Sequence, residues 1–206
     1  MIEESRSEMV KGSQYNLPYR RRRNAATDYA KRRRLVLSGL PRLVVRPANK
    51  HITVQVIEAR AKGDVVLASA HSSELRKYSW KAAGGNVPAA YLTGSLAGHR
   101  ARTKGIQTAV LDVGTRPVSI GSRIFAAMSG AADSGLKIPH DEEILPSKDR
   151  LRGEHIAAFG KMLSQKPDLY QKRFSIYLKQ NLKPEDVPAH FEEVRGKISQ
   201  SFEKTR

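Results

Sequence analysis

The chain has 206 residues, with 37 Lys or Arg against 20 Asp or Glu, a formal net charge of +17 and a pI of about 10.3. This excess makes nucleic acid the leading candidate partner, ahead of an anionic membrane surface. The lack of cysteine excludes disulfides, thiolate metal sites and cysteine nucleophiles. No apolar run approaches the roughly 20 residues that span a bilayer, and the acidic N-terminus lacks the apolar stretch of a signal peptide. We therefore expect a cytoplasmic protein that neither spans a membrane nor acts on a small-molecule substrate.

The positive charge is concentrated towards the N-terminus. Residues 1–50 hold 13 Lys or Arg and 4 Asp or Glu, residues 51–139 hold 11 and 5, and residues 140–206 hold 13 and 11. Electrostatic contacts are therefore expected from the first two thirds. The nearly balanced last third is expected to meet protein neighbours or to pack on the core.

Residues 15–40 contain two blocks of four cations, at 20–23 and 31–34, with Asp28 as the one acid between them. A folded core gains nothing from mutually repelling cations, so this pattern favours a polyanionic partner that neutralises them. A solvated helix end or a sorting signal is the alternative interpretation.

The second basic block predicts a short helix. Thr27 is the expected N-cap, Asp28 is expected to pair with Arg32 one turn later, and Gly39 is expected to close the helix. The apolar residues of one face are expected to hold this helix to the core: Tyr29, Val36 and Leu40.

Three strands are predicted next, at residues 42–46, 51–58 and 65–70. Their apolar and polar residues alternate, and short turns connect them, so they predict an antiparallel meander.

A helix is then predicted from an N-cap at Asn86, with Pro88 in its first turn, to about residue 104. A buried strand follows at 107–113. A crossover helix between two strands implies parallel pairing, so the sheet is expected to be mixed. Ser122 is the predicted N-cap of a further helix that runs to about residue 134.

Beyond residue 137 the sequence predicts an acidic loop and three helical stretches, at about 148–163, 168–180 and 188–204. Apolar and aromatic residues recur in them at helical spacing, which indicates core packing rather than a ligand box. The chain thus divides into a basic N-terminal extension with a short helix (1–40), an α/β core (41–138) and a helical C-terminal extension (139–206).

No catalytic motif emerges from the sequence. The six histidines do not pair at metal-ligand spacing, and Leu136 stands where a P-loop would need lysine. Asp112, at a strand end, is the best candidate acid, but a metal-dependent nuclease needs several convergent carboxylates. We expect Asp112 to bond loop N–H groups near Gly114 instead, and we expect neither enzyme activity nor a cofactor.

Several stretches, taken in order, resemble the large-subunit ribosomal protein L18 family. They are 41–57, 111–114 and 121–136, together with 138–140 and 152–156, which resemble the longer archaeal and eukaryotic branch. The resemblance covers about residues 15–160, and the chain length resembles that of archaeal members.

This resemblance implies a ribonuclease-H-like three-layer α/β core with a mixed sheet and no nuclease site. It also implies binding to 5S rRNA and its attachment to large-subunit (23S-type) rRNA in the central protuberance, beside neighbouring ribosomal proteins. A general basic RNA-binding chaperone is the alternative function, and a divergent ribonuclease-H-like nuclease is the rival of the enzyme class.

By the same resemblance, a set of basic and polar residues is expected to contact RNA: Arg20, Arg21, Arg22, Arg23, Asn24, Lys31, Arg32, Arg33, Arg34, Arg42, Arg46, Asn49, Lys50 and His51. For Tyr15 and Tyr19, stacking on bases and local packing are equally open, whereas local packing is favoured for Tyr29. The glycine loop at 84–86 is either a close approach to RNA or a plain flexible connection.

Overall fold

A computed structural model describes residues 16–203. The expectations for residues 1–15, including the role considered for Tyr15, lie outside the described residues. The helices and strands, in chain order, are α1 (Arg20–Arg23), α2 (Tyr29–Leu37), β1 (Arg42–Pro47), β2 (Ile52–Arg60), β3 (Gly63–His71), α3 (Val87–Thr103), β4 (Val110–Asp112), α4 (Arg123–Asp133), α5 (Lys148–Arg152), α6 (Glu154–Leu163), α7 (Pro167–Lys179) and α8 (Val187–Glu203). In this part of the chain, no helix has both the length and the apolar character needed to cross a bilayer.

The four strands form one mixed sheet in the order β3-β2-β1-β4. The first three strands pair antiparallel, and β4 runs parallel to β1. The predicted α/β class with a mixed sheet is therefore confirmed. The fourth strand is shorter than predicted, because residue 108 makes only an isolated bridge to Lys137.

Alternation along the strands gives the sheet one apolar face. Leu43 lies opposite Val56, and Val45 lies opposite Val54. All four side chains are buried in the hydrophobic core. The branched residues fit the pleated surface and turn their neighbours to the opposite face.

Helices α3 and α4 pack on each other beside the apolar face. A side chain on Gly94 would place its Cβ 1.9 Å from the carbonyl oxygen of Ala127, and one on Gly130 would lie 2.0 Å from that of Tyr91. The two backbones therefore touch, which only glycine permits. Asn86 caps α3 as predicted, since its side chain accepts from the Ala89 N–H at 2.8 Å. Helix α4 begins where predicted, but the Ser122 side chain makes no capping bond.

The C-terminal third is attached to this core. Helix α8 buries Val187, Phe191, Val194 and Ile198 in the same hydrophobic cluster as the strands. His190 stacks on Trp80 at 5.3 Å between ring centroids, and its Nε2 accepts the Lys81 N–H at 3.1 Å. Of the two expectations for this third, core packing therefore holds for α8.

The helix predicted over 148–163 is divided in two. Gly153 adopts φ +92 between α5 and α6, a left-handed conformation that ends a helix.

Arg100 of α3 and Lys104, which caps the C-terminus of that helix, contact the outer edge of the sheet at β3. Arg100 Nη1 donates to the Ser69 carbonyl at 2.6 Å, and Lys104 Nζ donates to the Leu67 carbonyl. Arg100 is itself fixed by Glu74 at 2.6 Å. Backbone acceptors of the edge strand are thus occupied by side chains of the same molecule.

Candidate nucleic-acid interface

The face of the sheet opposite the core is polar. Because paired residues share a face, Val44, Gln55 and Asp112 lie together on it, and Arg42 and Arg46 follow by alternation along β1. The segment containing α1 and α2 lies against this face and encloses a cleft of about 490 Å³. The polar and charged residues lining the cleft are Arg21, Thr27, Asp28, Lys31, Arg32, Arg42, Arg46, Asp64 and Asp112.

A single carboxylate links the segment that contains α1 and α2 (residues 20–37, the basic segment) to the sheet. Asp64, on β3, accepts from Arg32 Nη2 at 2.7 Å and from Arg42 Nη2 at 2.9 Å. The hydrogen bond from Arg32 is the main cause that holds the pKa of Asp64 below its ordinary value; Arg42 adds to it and burial opposes it. Asp64 therefore stays ionised and fixes α2 over the sheet.

The Arg42 side chain is buried and paired with carboxylates inside the protein. Its Nη1 contacts Asp112 Oδ2 at 2.6 Å, and the residue is only 3% exposed. A guanidinium with two carboxylates and no free surface cannot also receive a phosphate. This burial favours a positioning role for Arg42 over the direct RNA contact expected from the sequence.

Helix α2 begins one residue later than its predicted cap implies. Asp28 Oδ1 accepts from the Ala30 and Lys31 N–H groups at 3.0 and 3.1 Å, so Asp28 is the N-cap and the prediction of Thr27 is wrong. The predicted Asp28–Arg32 pair is also wrong, because each side chain is engaged elsewhere. Thr27 instead accepts from Arg21 Nε at 2.8 Å and ties the first basic block to the second.

Burial contributes little to the attachment of α2. None of its residues is buried, and Val36 and Leu40 are each 38% exposed. The expectation that these residues hold the helix to the core is therefore wrong. Tyr29 packs locally, as favoured, against Tyr19 at 5.4 Å between centroids, while Tyr19 remains 75% exposed.

Most of the predicted N-terminal contact residues face solvent. Lys31 reaches the Gly114 carbonyl at 3.4 Å, Arg32 is half-buried on Asp64, and Arg46 donates to Gln55 at 3.1 Å while staying exposed. The other exposed members of the set are Arg20, Arg21, Arg22, Arg23, Asn24, Arg33 and Arg34.

The remaining predicted residues lie at the turn between β1 and β2. Asn49 and Lys50 are exposed, and half-buried His51 places Nδ1 3.2 Å from Ser72 Oγ. A Cβ on Gly85 would lie 2.6 Å from the Asn49 carbonyl oxygen. The glycine loop is thus packed against this turn, which gives its glycines a structural role in holding the turn.

Two arginines that the sequence analysis did not single out hold this turn in place. Arg123 Nη1 donates to the carbonyls of Ala48 and Gly85 at 3.0 and 2.9 Å, and Arg116 Nη1 donates to that of Pro47 at 2.6 Å. Each is an isolated cation in its segment, and its partners are backbone carbonyls distant in sequence. No local pattern could reveal them.

The geometry suits binding to a polyanion. Arginine and lysine side chains bind phosphate oxygens, and arginine also stacks on unpaired bases. Asp112 accepts the Gly114 N–H at 2.9 Å, which confirms its expected role at the turn. Between residues 16 and 203, no group of three or more His, Asp or Glu side chains could hold a metal ion.

Comparisons with known proteins agree with these observations. A family model described as "Ribosomal large subunit proteins 60S L5, and 50S L18" matches residues 13–108 and 102–141. The "Large ribosomal subunit protein uL18" of Caldivirga maquilingensis is 50% identical over 199 residues, 96% of each chain. The relative of the same name from Thermofilum pendens is 50% identical over 197 residues, 95% of this chain and 100% of its own. The one from Aeropyrum pernix is 51% identical over 196 residues, 94% of this chain and 92% of its own.

Proposed function

The chain belongs to the family of ribosomal large-subunit proteins that includes 60S L5 and 50S L18, and from that membership we propose that it binds 5S rRNA and attaches it to large-subunit rRNA in the central protuberance. It is a structural constituent of the large subunit of the cytoplasmic ribosome and not an enzyme. In this proposal the chain also contacts neighbouring ribosomal proteins of the large subunit.

One observation carries the proposal of RNA contact. The Asp64 bridge between Arg32 and Arg42 holds the basic segment across the polar face of the sheet, so its other cations are presented outwards from a fixed base. The proposed contact residues are Arg20, Arg21, Arg22, Arg23, Asn24, Lys31, Arg32, Arg33, Arg34, Arg46, Asn49, Lys50 and His51.

The residue types fit folded RNA. An A-form helix is recognised mainly through phosphates and 2′-hydroxyls, which Arg, Asn and His side chains can bind. In this proposal residues 1–40 form a basic extension, residues 41–138 a ribonuclease-H-like core without its nuclease site, and residues 139–206 a helical extension. The two basic blocks and the β1–β2 turn would then contact one RNA surface.

A gel-shift titration with 5S rRNA, and with tRNA as competitor, at several salt concentrations tests the function. We expect a strong preference for 5S rRNA that persists at high salt. Arg22→Ala and Arg33→Ala should each weaken it by about tenfold, since each removes a charged contact.

Lys179→Ala is the matched control, because it removes one exposed cation from α7, outside the proposed contact residues. Equal binding to both RNAs with a steep salt slope would favour the general chaperone and reject the specific function.

A further inference from the structure

A second cationic groove lies away from the basic segment, between the loop before α4 and helices α5 to α7. Its volume is about 820 Å³. Arg123, Arg150, Arg173 and His155 line it, and among the described residues that line it there is no Asp or Glu.

We propose that this groove binds a strand of ribosomal RNA, with Arg150 and Arg173 on the phosphates and Phe159 against a base. The inference rests on the proposed RNA-binding function, but it concerns a surface that the function does not use. It assigns RNA contact to the C-terminal third, which was expected from its balanced charge to meet protein neighbours or to pack on the core.

Two of the cations in the groove, Arg150 and Arg173, are not neutralised by an acid among residues 16–203. Neither Arg150 nor Arg173 forms an ion pair with any acid in the described part of the chain, and both are exposed. By contrast, Arg152 pairs with Glu192 at 3.1 Å on the neighbouring surface. The acids that balance this third of the sequence therefore lie elsewhere, and the groove keeps a net positive charge.

A helix N-terminus adds to the positive potential of the groove. His155 does not, because burial, followed by the charge of Arg150, lowers its pKa and favours the neutral imidazole. Ser122, at the N-terminus of α4, lines the groove with a buried Oγ that has no hydrogen-bond partner and makes no capping bond. The partial positive charge of this helix end therefore adds to that of the arginines.

The apolar part of the groove is consistent with a base. Phe159 and Ile120 are exposed at its surface, and Phe159 is held edge-on by Phe174 at 5.9 Å between centroids. A fixed aromatic side chain beside unpaired arginines matches the way proteins hold unpaired RNA bases. Charge decides between RNA and a protein segment here, because a lining without carboxylates favours a polyanion.

The first test measures the affinity of the full chain for large-subunit rRNA as a function of salt. The double variant Arg150→Gln with Arg173→Gln should lose about tenfold in affinity and about two from the slope of log affinity against log salt, one for each phosphate contact. Lys161→Gln with Lys166→Gln is the control, because it removes the same charge from exposed positions that do not line the groove. An unchanged slope in the groove variant, or equal losses in both, would overturn the proposal.

The second test locates the occupant inside the large subunit. The chain has no cysteine, so single cysteines can carry a tethered hydroxyl-radical probe without background. Ser119→Cys at the groove should cut rRNA, and this cutting should fall when Arg150 and Arg173 are replaced by Gln. No cutting of rRNA from residue 119, or cutting that is unchanged when Arg150 and Arg173 are replaced, would overturn the proposal.

Ala26→Cys, in the loop between α1 and α2 of the basic segment, reports separately on the proposed function. Cutting from residue 26 but not from residue 119 would leave the function standing and reject the groove. Cutting from residue 119 alone would reject the basic segment as the contact surface.

Discussion

Arg42 lies at the centre of the charge network under the basic segment. It is buried between Asp64 on β3 and Asp112 at the end of β4, and Asp64 also holds Arg32 from α2. A buried guanidinium is tolerated only while carboxylates and hydrogen bonds compensate it. The network therefore couples the position of α2 to the stability of the sheet.

Asp64→Asn should lower the free energy of unfolding by about 2–3 kcal/mol, because the amide leaves the buried Arg42 with one carboxylate. It should also weaken RNA binding although it removes a negative charge, since α2 loses its anchor. Urea denaturation and the gel shift measure the two effects. In the control Glu58→Gln, an exposed pair with Arg60 is lost, and we expect a change within about 0.5 kcal/mol. Tighter RNA binding by Asp64→Asn would contradict the anchoring role.

His190 makes stability depend on pH. Burial, the largest cause, lowers its pKa from 6.5, with Glu193 opposing and Lys81 and Lys197 adding to the shift. As pH falls below about 6.5 the unfolded chain takes up the proton first, so the free energy of unfolding should fall until the folded-state pKa is passed. His99 and His155 act in the same direction.

The measurement is urea denaturation of the wild type and His190→Gln across about pH 5 to 8. We expect the free energy of unfolding to depend less steeply on pH in the variant, because His190 no longer titrates. Some dependence should remain, because His99 and His155 are still present. Identical slopes for the two proteins would show that His190 has no such role.

At the scale of elements, helices α3 and α4 pack so closely that their backbones touch. The Ala127 carbonyl oxygen occupies the place of a side chain at Gly94. Rigid backbone on both sides leaves no route for local relaxation. Gly196 in helix α8 is a glycine with open space beside it, because a Cβ there would meet nothing within 4 Å.

Gly94→Ala should lower the free energy of unfolding by more than about 3 kcal/mol or prevent folding. Gly196→Ala should raise it by up to about 1 kcal/mol, because alanine favours the helix and no clash arises. Thermal or urea denaturation compares the two. Similar effects from both substitutions would contradict the close contact of α3 and α4.

The elements divide into those that sequence patterns can predict and those that they cannot. The meander and α3 were predictable, because their signals lie in residues that are close together in the sequence. These signals are the alternation of apolar and polar residues in β1 and β2 and the N-cap at Asn86. Val36 and Leu40 show apolar helical spacing, yet each remains 38% exposed. A pattern records what a residue is, whereas burial depends on what lies opposite it. Similarly, Gly153 inside an apolar periodic stretch gives no sign that it divides a helix.

At the scale of the whole molecule, the candidate site was only partly predictable. The cation blocks of α1 and α2 stand out in the sequence because neighbours repeat the same charge. Whether one cation faces a phosphate or a carboxylate depends on long-range partners, as Arg42 shows. The groove beside α4 could not be predicted from the sequence, because its arginines come from separate segments and two of them, Arg150 and Arg173, lie in the nearly balanced last third.

The α/β core and the helical C-terminal extension should unfold together. Trp80, the one tryptophan of the chain, is buried against His190 of α8 and reports on the attachment of the C-terminal helix. Because α8 shares its core with the strands, tryptophan fluorescence and far-UV circular dichroism should give coincident urea transitions. Two separated transitions would show that the helical extension is an independent unit.

The side chains on the edge of β3 have a consequence for the time before assembly. An unpaired strand edge is where separate copies of a protein join and begin to form amyloid-like stacks. Arg100 and Lys104 already occupy two of the acceptors that an incoming strand would need. These two contacts therefore oppose pairing of β3 with the same strand of a second copy.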